Sequence, residues 1–99
     1  LLFLRSDDRD ADEVLETVKA AQNASLDVIV ISVPAKTVIA ARGIDASWDI
    51  ASCAKPLLGA FEGRGGGSAS LFRAVFQDET KAEAYAAALR ECLQQKAAF

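Results

Sequence analysis

The chain has 99 residues, 52% of them hydrophobic and 25% charged, with a formal net charge of −3 and no histidine. That length supports one core of ordinary domain size, and the apolar fraction lies well above that of disordered chains. Lacking histidine, the chain cannot build Ser-His-Asp or Cys-His catalysis, a histidine proton shuttle or a histidine metal site, so its chemistry is limited to carboxylates, Lys, Tyr, hydroxyls and two thiols.

Residues 1–33 carry seven acids and three bases (−4), residues 34–76 five bases and three acids (+2), and residues 77–99 three bases and four acids (−1). Only the middle is basic, and a pI near 4.8 argues against tight nucleic-acid binding by the chain as a whole while leaving room for a local patch. Cys53 and Cys92 stand far apart with no CxxC pairing. They read as two reduced, buried thiols of a cytoplasmic or mitochondrial-matrix protein, not as a disulfide framework or a zinc site. No apolar run approaches a membrane span. The start at Leu1 and the absence of Met suggest a single domain, residues 1–99, cut from a longer protein.

In chain order, Leu1 to Arg5 reads as a short strand. Asp10 then offers an N-cap with Glu13 three positions later, and Val14, Leu15, Val18 and Ala21 recur at helical spacing, so a helix is expected over about 10–23. The acids around its N-terminus suit the helix dipole and are expected to face water. Leu26 to Val33 is a β-branched run expected in the middle of a sheet, and after Pro34-Ala35-Lys36 a hairpin partner follows over 37–41. Gly43 ends that strand. Asp45 and Ser47 are candidate caps for a second helix carrying Ile50, Ala54, Leu57, Leu58 and Phe61, which either begins near Ser52 or kinks near Lys55 because of Pro56. Trp48 is expected to anchor the core or its rim.

Gly63-Arg64-Gly65-Gly66-Gly67 reads as a loop. In Ser68 to Phe76, Phe72, Ala74 and Phe76 alternate with Leu71, Arg73 and Val75, which marks a fourth strand. Thr80-x-x-Glu83 is the expected capping box of a last helix whose stripe is Tyr85, Ala88, Leu89, Cys92 and Leu93. The order β-α-β-β-α-β-α predicts an α/β fold, a mixed sheet of about four strands with helices packed on it.

Four glycines in five positions cost backbone entropy without burying apolar surface. They allow exposed N–H groups to approach an anion, and Arg64 adds a planar fork that fits phosphate. A flexible connection between helix and strand would account for the glycines as well. No Gly-Lys-Ser/Thr follows, and the order is helix, loop, strand, so neither a P-loop nor a dinucleotide fingerprint is present and no ATP or NAD cofactor is expected.

The helix ending Leu57-Leu58-Gly59-Ala60-Phe61, the loop Glu62 to Gly67 and the strand and helix after it resemble the C-terminal globular domain of alanyl-tRNA synthetase, C-Ala. That DHH-associated type is shared with free-standing alanyl-tRNA editing proteins and some DHH phosphoesterases. The resemblance implies a non-catalytic module that binds the outer corner of alanine tRNA, inside a parent that is an alanine–tRNA ligase or an editing hydrolase. Gly63, Arg64, Gly65, Gly66 and Gly67 match the family's Gly-Lys/Arg-Gly-Gly-Gly loop and would approach the tRNA backbone. Many bacterial members continue with Arg-Pro-Asp, where this chain has Ser68-Ala69-Ser70.

Two readings follow. As an RNA-binding module, the chain uses Arg64 and the loop amides, with Arg73, Lys55, Lys36 and Arg42 as further phosphate contacts; four contacts give a log-log salt slope of about −3 to −4. As a protein-interaction or dimerisation module, it uses the Leu1-Leu2-Phe3-Leu4 edge or Ala97-Ala98-Phe99. No metal site is expected. Nothing specific supports an enzyme using Asp45, Asp49 or Tyr85.

Overall fold

The computed structural model describes residues 2–44 and 49–97; Trp48 and the candidate caps Asp45 and Ser47 lie outside the described residues, as do Leu1, Ala98 and Phe99. The elements run β1 (Leu2–Ser6), α1 (Ala11–Asn23), β2 (Val28–Ser32), β3 (Thr37–Ala41), α2 (Ala51–Ala60), β4 (Arg64–Gly67), β5 (Leu71–Val75) and α3 (Glu79–Ala97). The class is mixed α/β, with one sheet in the order β1-β2-β3-β5-β4. β1 lies parallel to β2, and every other neighbouring pair is antiparallel.

The sheet has five strands, one more than the alternation predicts, because Arg64-Gly65-Gly66-Gly67 is a strand and not a loop. Glycines carry no side-chain periodicity, so only pairing with β5 reveals it. The centre of the sheet is β3, with β2 beside it; all ten residues of these two strands are buried. Capping departs from expectation as well. Asp10 closes α1 with the full box to Glu13, but α3 starts from Asp78, whose carboxylate accepts the Lys81 N–H at 2.8 Å. Thr80 already lies within that helix, and Glu83 instead pairs with Arg5 on β1. α2 is entered from Asp49, whose side chain accepts the Ala51 N–H at 2.9 Å. The helix continues through Pro56.

The two faces of the sheet bury different clusters. Leu4, Val28, Val30, Ile39, Ala41 and Leu71 pack against Val14, Val18 and Ala21 of α1. On the other face, Ile29, Ile31, Val38, Ala40, Phe72, Ala74 and Phe76 pack under α2 and α3. There the Tyr85 hydroxyl donates to the Ala54 carbonyl at 2.9 Å, tying α3 to α2. Burial disfavours the phenolate and raises the Tyr85 pKa far above its ordinary range.

Cys53 and Cys92 are joined in a disulfide, which corrects the expectation of two free thiols. Separation along the chain says nothing about distance across a helix pair. With α2 packed on α3 the two Cα atoms stand 6.1 Å apart, inside the range a disulfide spans.

Candidate nucleic-acid interface

α1 lies over β2 and β3. Beyond Leu71 its side of the sheet continues across β5 and β4 with no covering helix among the described residues, and what it presents follows from the register. Gly66 stands opposite Arg73 and Arg64 opposite Val75. Since opposed residues share a face, the two arginines are diagonal neighbours on the same open surface. Arg64, Gly66 and Arg73 are exposed, and Val75 is 44% exposed. Arg73 approaches Asp12 at 4.0 Å, a loose pair in water. Arg64 has no ion-pair partner among the described residues.

The glycines divide into two kinds. A Cβ on Gly63 would run into the Phe76 ring, one on Gly65 would stand 2.8 Å from the Ala74 Cα, and one on Gly67 2.8 Å from the Phe72 Cα. These three are required by close packing against β5 and its continuation. Gly66 has nothing within 4 Å of its missing side chain among the described residues, so of these four glycines it alone is free of a packing reason. β4 is also an outer strand. Ser68 donates its N–H to the Leu71 carbonyl at 2.9 Å, and alternation from that bond turns Gly66 toward β5 and leaves the N–H and C=O groups of Gly65 and Gly67 on the free edge. Two outward amides therefore flank a bare backbone next to two guanidinium groups.

Of the other cations, Lys36 lies in the turn before β3 and is exposed. Its carbonyl accepts the Phe76 N–H at 2.9 Å, which places it at the Arg64 end of the open surface. Arg42 follows β3 and donates its N–H to the Ser70 carbonyl at 3.0 Å, at the opposite end of the sheet. Lys55 is on α2, in the layer on the other side of the sheet, and is not brought together with Arg64 and Arg73. Lys81 is engaged by Glu62 at 3.0 Å. Val75 was not singled out by sequence, although its alternation with Phe72 and Phe76 carries the signal.

Among the described residues no group of three or more Cys, Asp or Glu is placed to hold a metal ion, and no helix is long and apolar enough to cross a membrane. No protein-family model and no curated protein matches the chain. The open stretch of β4 and β5, a glycine-rich edge flanked by arginines, is thus the feature from which a function can be argued.

Proposed function

We propose that the chain is an RNA-contacting module of the C-Ala kind, non-catalytic in itself, and that Arg64, Gly65, Gly66, Gly67 and Arg73 engage backbone phosphates of alanine tRNA. The observation that supports this reading most is the diagonal pair Arg64 and Arg73 beside Gly66 on the uncovered end of the sheet. Guanidinium groups bond phosphate in a bidentate fork, and a backbone without a Cβ lets an anion reach the amides of the edge. With Lys36 at the near end, two or three phosphates are the natural complement of this surface. Lys55 is left to solvent. The overall charge of −3 limits affinity, so binding is weak and confined to this patch.

This role fits a parent alanine–tRNA ligase or editing hydrolase in the cytoplasm or the mitochondrial matrix. Disulfides are uncommon in those compartments, so the redox state of Cys53 and Cys92 in cells checks the localisation. The bond between them in the fold weighs toward a more oxidising setting, and the assignment to these two compartments stands only if the pair is found reduced in cells.

The test is binding of alanine tRNA, against a duplex RNA of equal length, across a salt series. The expected log-log slope is about −2, each phosphate contributing roughly −0.7 to −0.9. Arg64→Ala and Arg73→Ala should each weaken binding about tenfold, a charge-assisted contact being worth roughly 1.5 kcal/mol, while Lys55→Ala leaves it unchanged. Absence of binding at low salt, or equal loss with Lys55→Ala, overturns the assignment.

A further inference from the structure

The opposite edge of the sheet carries a separate inference, independent of the RNA reading. Among the described residues β1 is an outer strand with no strand on its free side. Leu2 donates its N–H to the Asp27 carbonyl at 2.8 Å and the Ser6 carbonyl accepts from Val33 at 2.9 Å. The even positions therefore turn their backbone groups toward β2, and Phe3 and Arg5 present theirs to the free edge. Proteins usually blunt such an edge with proline, bulges or projecting charge. β1 has neither proline nor bulge, and its one charged residue, Arg5, is drawn back onto Asp7, Glu79 and Glu83.

Grooves flank this edge on both faces. One, of about 640 Å³, lies between β1 and α3 over Phe3, Ile31 and Ala87. The other, of about 550 Å³, lies between β1 and α1 over Leu4, Val14 and Val30. An added strand would send alternate side chains into each. We propose that the occupant is a second copy of this chain, its β1 running antiparallel to the first about a two-fold axis at Leu4.

Backbone phase and charge both select this partner. Only outward-facing positions can bond one another, so the axis must pass through a residue. Through Leu4 it pairs Phe3 with the second copy's Arg5 and Arg5 with its Phe3, which engages all the outward groups of both strands. Through Arg5 it would oppose two guanidinium groups, and through Phe3 it would leave Arg5 with no partner within the strand Leu2–Ser6. The α3 groove carries Arg5, Arg90, Glu83 and Glu91. Two cations and two anions give a strongly charged peptide of either sign no net attraction, whereas a two-fold copy can set each cation near the other's carboxylates. Arg90 already rests over the Phe3 ring, 5.1 Å from its centroid, and the second copy's Arg5 would come alongside that ring from the other side. On the α1 face Leu4 would meet Leu4.

Sedimentation of the unmodified chain across a concentration series should show the 10.5 kDa species giving way to one of twice that mass. Leu4→Cys should form a covalent dimer under mild oxidation faster than Phe3→Cys or Leu2→Cys, because residues on the axis face each other at about 4.5 Å between Cα atoms. The unmodified chain serves as the control for exchange at Cys53 and Cys92. Leu4→Lys should weaken association at least about tenfold by opposing like charges. Where a variant fails to fold, hydrogen exchange of the unmodified chain decides: the Phe3 and Arg5 amides should gain at least about tenfold protection on concentration. A constant monomer mass, protection of those amides that does not change with concentration, or faster cross-linking through Leu2→Cys or Phe3→Cys overturns the proposal.

Discussion

The two faces of this sheet are built for different ends. Under α2 and α3 lie Phe72, Phe76, Tyr85 and Leu89, fully or almost fully buried, with a disulfide and a buried hydrogen bond binding the two helices to each other. The opposite face has one 13-residue helix, α1, over β2 and β3, and past Leu71 it leaves Arg64, Arg73 and Val75 in water. Both faces bury a cluster, but the cross-link sits on one side and the unshielded cations on the other. Loss of stability and loss of binding should therefore separate by face.

The largest stability effect is expected from the covered face. The Cys53–Cys92 bond closes a loop of sequence separation 39, and chain-entropy reasoning assigns such a loop about 4 kcal/mol. Replacing both cysteines by serine should lower stability to chemical denaturant by roughly 2–4 kcal/mol, and well below the melting transition RNA affinity should be unchanged. A variant that loses binding while still folded breaks the separation.

Next come the packed glycines, where the open face meets β5. A side chain on Gly65 must displace the β5 backbone, so Gly65→Val should cost about 2 kcal/mol or more by unpairing β4. Gly66→Ala meets nothing within 4 Å and should change stability by less than about 0.5 kcal/mol while weakening RNA binding. Equal destabilisation by the two would contradict the division among the glycines.

Tyr85 gives a smaller and pH-dependent effect. Tyr85→Phe removes the bond to Ala54 and should cost about 1 kcal/mol. The fold favours the neutral phenol, so the native pKa is raised above the ordinary 10.0. Stability from this group is complete below pH 10 and falls as pH rises beyond it, because the unfolded chain releases the proton first. Denaturation of the Phe variant followed at pH 8 to 11 should lack that part of the decline.

Much of the fold was legible because its periods are clear. Val14, Val18 and Ala21 mark the buried side of α1, Asp10 and Glu13 its start, and Phe72, Ala74 and Phe76 the inner face of β5. β4 was not legible, since three consecutive glycines show neither alternation nor β propensity and their pairing depends on Phe76 and the β5 backbone. The disulfide was hidden for a related reason: it arises from how α2 docks on α3, a contact that chain spacing does not encode. Asp78 caps α3 where Thr80 was the expected choice, because both short polar residues stand at the start of the helix and only the backbone path selects between them. At the candidate interface, alternation with Phe72 and Phe76 already turned Arg73 outward. Nothing in the sequence separated Lys55 from Arg73, as that depends on which side of the sheet α2 packs.

The separation of the two faces is tested most directly by following the backbone amides of the labelled chain by NMR during titration with alanine tRNA at low salt. Shifts should concentrate at Arg64, Gly65, Gly66, Gly67 and Arg73, with Lys36 at the margin, and little change is expected along α2 or around Cys53 and Tyr85. Shifts centred on Lys55 and α2, or none at low salt, would contradict that separation.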